Sequence, residues 1–370
     1  MVDLDFSKET GNLADMLRES CDRANDSTEK TYYDRYCRIH DKLSPYQDIV
    51  EKSAYAQAVE KWHNEYEARL KGVTSDEEIR SIHQQQWDTC PLFYLNNHGS
   101  EHIKAVQERT KEILVHSSNL NLNSYELFIL LCAIEVHDIG NIYGRIGHEG
   151  EIGKIIREID NDLLDSVERT TITRIAMTHG GKINDDKDTI NHLLKERTLF
   201  RHNVRERLLA AILRFADELA DDNSRAGKIE LELGAVSQSS IIFHRYSESL
   251  HTVQIVNRST VKLCYEFTSE IAVQKFKLGT GEKYLLDEIY DRTLKMERER
   301  RYCMRYMRPY ISIEDISVEI IIQDTKNPFK AETITYTLNE TGYPAEPVGE
   351  SIVMYLGPNR SGEEIALQFS

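Results

Sequence analysis

The tract Ala133-Ile134-Glu135-Val136-His137-Asp138-Ile139-Gly140 sets an imidazole beside a carboxylate at the C-terminal end of an apolar run. An ionised Asp in such a place costs several kcal/mol unless it is paired or coordinated, so a cation is a natural explanation for it. Gly140 lets the backbone turn away directly after the pair. A His-Asp dipeptide also has a plain reading, a histidine capping a helix through its ring nitrogens. Further groups of the same kind weigh against that reading: His102 opens one helical stripe, His148 stands in GHEGE, His179 in MTHGG and Asp217 in LRFADELAD.

Mixed imidazole and carboxylate donors suit Mn, Fe, Zn, Ni or Co better than the all-oxygen cage typical of Mg. A metal lowers the pKa of a bound water towards ~7, and a second ion ~3.5–4 Å away clamps the attacking and leaving oxygens of a phosphate. Hydrolysis of a phosphoester or phosphoanhydride is the chemistry that follows.

The ordered set H…HD…H…H…D, carried by HIKAV, VHDIG, GHEGE, THGG and FADELAD, resembles the HD superfamily of metal-dependent phosphohydrolases over roughly residues 97–222. The resemblance implies one or two divalent ions (Mn, Fe, Mg, Ni, Co or Zn). His102, His137, Asp138 and Asp217 would hold the first. His148 and His179 would either ligate a second ion bridged by Asp138 or act as catalytic histidines, with Asp138 counted in both roles. GHEGE after HDIG is similar to deoxynucleoside triphosphate triphosphohydrolases. This chain departs from them by the longer stretch Asn141-Ile142-Tyr143-Gly144-Arg145-Ile146 and by the lack of an HPPF-like segment. HD phosphodiesterases share the GHE and the later histidine. The expected function is therefore hydrolysis of nucleotides, (deoxy)nucleoside triphosphates first. The alternatives are cleavage of cyclic nucleotides or single strands, and nucleotide sensing by a degenerate site.

Substrate phosphates call for cations, and Arg145 and Lys154 flank His148, with Lys182, Arg201, Arg205 and Arg214 further along. Each also reads as one charge on a solvated helix face. In HGSEH, Gly99 and Ser100 favour a loop and cap, which makes His102 the ligand and leaves His98 at the rim near substrate. Glu101 and Glu135 either orient an imidazole or serve as paired structural carboxylates. Arg145, Lys154, Lys182 and His98 are the expected substrate contacts.

The elements that must carry these groups read as helices. Residues 1–90 form a polar, helix-period region, with Ala54, Ala58, Trp62, Tyr66 and Leu70 on one stripe, and WDTCPLFYLNNHG is a turn-rich approach to His102. Residues 91–225 form the HD-type helical core, in which Leu127 to Val136 is apolar nearly all round, as a buried central helix is. Residues 226–370 read as a C-terminal α+β domain. Its strand-like runs are IELELGA, SIIFHRYS, HTVQIVN, VKLCYEF, SVEIIIQD, AETITYTL, SIVMYL and EIALQF, and its long helix covers 281–307. In that helix KMERERRYCMRYMRPY interleaves Arg with Tyr. The mix suits nucleotide or single-strand stacking, or an amphipathic helix with Tyr and Met inward and Arg outward. The expected fold class is mainly α with a C-terminal α+β domain.

The chain has 370 residues and a formal net charge of −16, which repels polyanions at long range and leaves nucleic-acid contact only to local patches. No apolar run approaches the ~20 residues that span a bilayer. No secretory leader is readable at the N-terminus, and the six scattered cysteines, without a CxxC pair, are expected to be reduced thiols. A cytoplasmic protein is expected, with a homo-oligomer or protein partner engaged through the C-terminal domain.

Overall fold

The structure, a computed structural model, describes residues 11–24, 26–47, 49–50, 71, 100–117, 120–143, 148–157, 162–220, 241–278, 281–327, 329–339, 352–357 and 360–369. Helices dominate the described residues of the N-terminal two thirds. They are α1 (Leu13–Arg23), α2 (32–47), α3 (Ser100–Val115), α4 (Ser124–Val136), α5 (Ile152–Ile156), α6 (Ser166–Met177) and α7 (Glu206–Leu219). The helical stripe from Ala54 to Leu70, His98 and Arg145 lie outside the described residues.

Helix α4 is the centre. All its residues are buried, which matches an apolar sequence with no polar face. Its start is fixed by a capping box in which the Asn123 side chain accepts from the Glu126 N–H at 2.9 Å while Glu126 accepts from the Asn123 N–H at 3.2 Å. Asp165 caps α6 in the same manner. Helices α1, α6 and α7 pack around α4, and α3 lies against α7. No single helix among the described residues is long and apolar enough to cross a membrane, and the five described cysteines are free thiols.

One hairpin interrupts the helical core, β1 (Arg197–Leu199) paired with β2 (His202–Val204). The expectation of a helical core over 91–225 did not include it. Phe200 and Arg201 form its two-residue loop, both at positive φ (45° and 72°), the torsions that let a tight turn follow the strand twist.

The C-terminal part holds α8 (Ile241–Ser249), β3 (Leu250–Val256), β4 (Thr260–Thr268), α9 (Ser269–Ala272), β5 (Lys275–Leu278), β6 (Gly281–Tyr284), α10 (Leu285–Met307), β7 (Asp315–Gln323), β8 (Ala331–Asn339), α11 (Ile352–Leu356) and α12 (Gly362–Phe369). A four-stranded sheet runs in the order β3-β4-β7-β8. Strands β4 and β7 are parallel, Leu263 beside Val318, and α10 lies on the crossover between them. The fold is mainly α with a C-terminal α+β part, as the sequence indicates.

Three strand-like runs are helices instead. SIIFHRYS forms α8, in which Ile242 and Tyr246, four residues apart, are both buried. SIVMYL forms α11. EIALQF forms α12, where Ile365 is 1% exposed and Leu367 66%; a strand would have put both on one face. IELELGA lies outside the described residues. The long helix begins at Leu285 because Gly281–Tyr284 pair with β5. Its Arg/Tyr run packs Cys303, Met304 and Met307 inward. Against the expectation of outward arginines, Arg300 is fully buried, held by Glu297 at 2.6 and 2.8 Å and donating to the Ile313 carbonyl at 2.6 Å.

Candidate metal centre

Four helix ends converge on one point. His102 sits in the first turn of α3, His137 and Asp138 directly follow α4, His179 follows α6, and Asp217 lies in the last turn of α7, while His148 comes from the short turn before α5. The donor atoms of His102, His137 and Asp217 lie within 4.8 Å of one another, and those of Asp138, His148 and His179 do the same.

In the first group the Nε2 atoms of His102 and His137 stand 3.3 Å apart, with Asp217 Oδ1 at 3.1 and 3.7 Å from them. Asp138 Oδ2 is 3.6 Å from each imidazole. In the second group Asp138 Oδ1 lies 3.2 Å from His148 Nε2 and 3.6 Å from His179 Nε2, and the two imidazole nitrogens are 3.4 Å apart. Metal–ligand bonds of about 2.0–2.2 Å hold neighbouring donors roughly 3 Å apart, so both groups fit a divalent ion and Asp138 spans the two.

The tautomers agree with this. His137 Nδ1 donates to the Ile134 carbonyl at 2.8 Å, and His179 Nδ1 to the Ala176 carbonyl at 2.7 Å. Each contact fixes a proton on Nδ1 and turns the Nε2 lone pair to the shared point. Asn141 Nδ2 donates to Asp138 Oδ1 at 3.2 Å. Glu149 places Oε2 3.6 Å from His148 Nδ1.

The electrostatics also favour positive charge here. Burial disfavours a charged His137, yet Asp138 and Asp217 outweigh it and raise its pKa to about 9. Burial likewise acts to raise Asp217, but hydrogen bonds from His102 and His137 hold its carboxyl well below the usual range. Glu218, the next residue, is pushed up to about 7 by burial despite the ammonium of Lys295.

Gly140 serves the site through space. A Cβ there would lie 2.0 Å from the His148 carbonyl oxygen, so the strand of chain carrying His148 passes where a side chain would be. Gly181 of THGG has φ +62°, and its Cβ would meet Glu149 Oε1 at 2.8 Å.

A cleft of about 720 Å³ opens over Asp138, His148, His179 and Asp217. Its far wall is α10, with Lys283 from the preceding strand, and Arg214 on α7 closes one side. Lys154 and Lys182 do not line it. Lys154 pairs with Glu151 and lies over the Tyr143 ring, and Lys182 stands 3.9 Å from Asp185, both side chains half exposed. Arg205 is committed to Glu126 at 2.6–2.8 Å. The lining cations are Arg214, Lys283, Arg292 and Lys295. Of these only Arg214 stood out in sequence, because the wall is assembled from segments far apart along the chain. Glu101 is exposed. Glu135 is a fully buried structural carboxylate that accepts from Tyr36, His40, Gln47 and Gln107 and orients no ligand imidazole.

The profile of the HD-CE family matches residues 87–295, more than half of the chain, and covers all six candidate ligands and α10 as far as Lys295. No curated protein and no solved structure matches it. With an HD-type site in place inside the matched segment, the chain belongs to the HD-CE family.

Proposed function

We propose that the protein is a metal-dependent phosphohydrolase acting on nucleotides. The observation that carries this is Asp138, whose two oxygens face two separate groups of imidazoles at 3.2–3.6 Å. His102, His137 and Asp217 would hold one divalent ion, His148 and His179 a second, and bound metal supplies an activated water and screens the phosphate. Asn141 holds the Asp138 carboxylate, and the Ile134 and Ala176 carbonyls hold the imidazole tautomers.

(Deoxy)nucleoside triphosphates are the first substrates to test. A phosphodiester substrate is favoured by a separate feature. Among the described residues, each Lys or Arg lining the cleft is matched by a carboxylate: Arg214 by Glu299, Lys283 and Arg292 by Glu288, and Lys295 by Glu218. Such a wall has little charge to spare for a triphosphate, whereas a diester asks for less. Purified protein loaded with Mn²⁺ and offered triphosphates, cyclic nucleotides and single-stranded DNA should release product. Tripolyphosphate marks the first substrate class and a nucleoside monophosphate the second. Equal turnover by Asp138→Ala would refute the mechanism.

A further inference from the structure

We infer that the α10 wall of the cleft is the subsite for the nucleoside part of the substrate, with Arg292 as its platform and Lys295 beside it. The inference rests on the proposed nucleotide reading and adds where the non-reacting part of the substrate lies.

Size is the first reason. The cleft of about 720 Å³ falls within the roughly 300–1,000 Å³ of pockets that enclose a whole small-molecule ligand, far more room than a reacting phosphate group needs. Position is the second. Lys295 reaches across to Glu218 at 2.8 Å, and Glu218 directly follows the candidate ligand Asp217. Arg292 lies three residues earlier on α10 and Glu288 seven earlier. At 1.5 Å per residue the wall therefore extends about 10 Å from the metal end, and 3- and 4-residue steps keep these positions on one helix face.

Chemistry is the third reason. Arg292 is a fixed plane: its guanidinium carbon stands 4.4 Å from the Tyr246 ring centroid and 5.2 Å from that of Phe243, and its Nε donates to Glu288 at 2.8 Å. Arginine planes held in this way stack nucleobases and donate to their edges. Around it, Glu218 and Glu299 supply acceptors for sugar hydroxyls and exocyclic amines, and Lys295, 64% exposed at its side chain, supplies donors. Met296 and Tyr246 are the only large apolar residues among the described lining, which suits a polar nucleoside and not a lipid or aryl ester.

The test compares inorganic phosphate, ribose 5-phosphate and nonhydrolysable methylenephosphonate nucleotide analogues, each titrated calorimetrically into the full-length Mn²⁺-loaded protein. At least one nucleotide analogue should bind tenfold or more tightly than ribose 5-phosphate. Arg292→Ala should cut that ratio at least fivefold, Arg292→Lys should restore only part of it, and Lys295→Met should lower it as well. Equal binding of the nucleotide analogues and ribose 5-phosphate by the unsubstituted protein would overturn the subsite. So would a loss that is proportional for all ligands in Arg292→Ala and Lys295→Met, which is the mark of merely structural residues. Hydrolysis is assayed separately, so a protein that binds nucleotides through Arg292 yet cleaves none would refute the enzymatic reading and leave the subsite standing.

Discussion

Arg214 and Glu299 form a two-bond ion pair, Nε to Oε2 at 2.8 Å and Nη2 to Oε1 at 2.9 Å, that fastens α7 to α10 beside the candidate metal centre. The third guanidinium nitrogen donates to the Thr178 carbonyl at 3.3 Å and to Thr189 Oγ1 at 3.1 Å. Arg214 thus stands three residues from Asp217 and, through Thr178, one residue from His179. One side chain braces a ligand from each group.

Arg214→Ala should loosen both helix ends and leave Glu299 without its partner in the cleft. Residues that orient metal ligands typically change affinity 10–100-fold, and a loss of that size is expected here in a Mn²⁺ titration of the purified protein. Arg214→Lys should recover only part, because an ammonium cannot make the paired bonds of the planar fork. Unaltered metal affinity in Arg214→Ala would show that the brace is dispensable.

The pKa of His137 sets a pH dependence with a definite sign. In metal-free protein its folded value of about 9 lies above the ordinary 6.5, so the protonated ring stabilises the fold. That contribution is complete below pH 6.5 and is lost as pH rises through about 9, at up to about 1.4 kcal/mol per pH unit. A metal needs the neutral ring, so uptake releases a proton in the same window and apparent affinity rises with pH. Melting temperatures of chelator-treated protein should fall between pH 6.5 and 9, and those of Mn²⁺-loaded protein should not. A flat profile for the metal-free form would contradict the assignment of His137 to the site.

The candidate ligands were legible as a set because each sits in a short local signal: HD before a glycine, histidines near Gly pairs, an Asp in the last turn of an amphipathic helix. Their convergence was not contained in any one segment and came only from the ordered set. The apolar run Leu127 to Val136 announced its own burial. The misread runs share a cause: Ile-Ile-Phe in α8 and Ile-Ala-Leu in α12 satisfy helix and strand periods over so few residues that packing decides. For Ile242 and Tyr246 the deciding surface includes α10, tens of residues downstream. The cleft wall was hidden for the same reason. Lys295 carries no signal of its own in the sequence, and its place in the cleft comes from Glu218, 77 positions away.

Behind the dyad, Glu135 offers a test of the core that holds it. It is fully buried and accepts from the Tyr36 hydroxyl at 2.7 Å, Gln47 at 2.6 Å, His40 at 3.0 Å and Gln107 at 3.0 Å, joining α2 and α3 to α4. Tyr36→Phe removes one donor to a buried carboxylate and should cost about 1–3 kcal/mol in chemical denaturation. Metal content should be retained, since Tyr36 touches no candidate ligand. A stability change within about 0.5 kcal/mol, the usual range of surface substitutions, would mean the remaining donors suffice.

Gly140 separates two roles for a glycine that sequence alone merges. Read from the chain, it frees the backbone to turn after His137-Asp138. In the structure it has no left-handed torsion, and what it provides is room, because the His148 carbonyl oxygen occupies the place of a Cβ at 2.0 Å. Backbone cannot yield as the tip of a flexible side chain can. Gly140→Ala must therefore displace the turn carrying His148, and with it one ligand of the second group, while His102, His137 and Asp217 keep their helix ends. The variant should bind one ion where two are expected of the unsubstituted protein, measured by metal analysis of both after gel filtration. Its hydrolysis should fall steeply, by at least the 10–100-fold seen when a ligand's support is lost. If the glycine served only backbone freedom, Ala would cost little and two ions would remain; that result would remove the close approach of residues 140 and 148 from the account of the site.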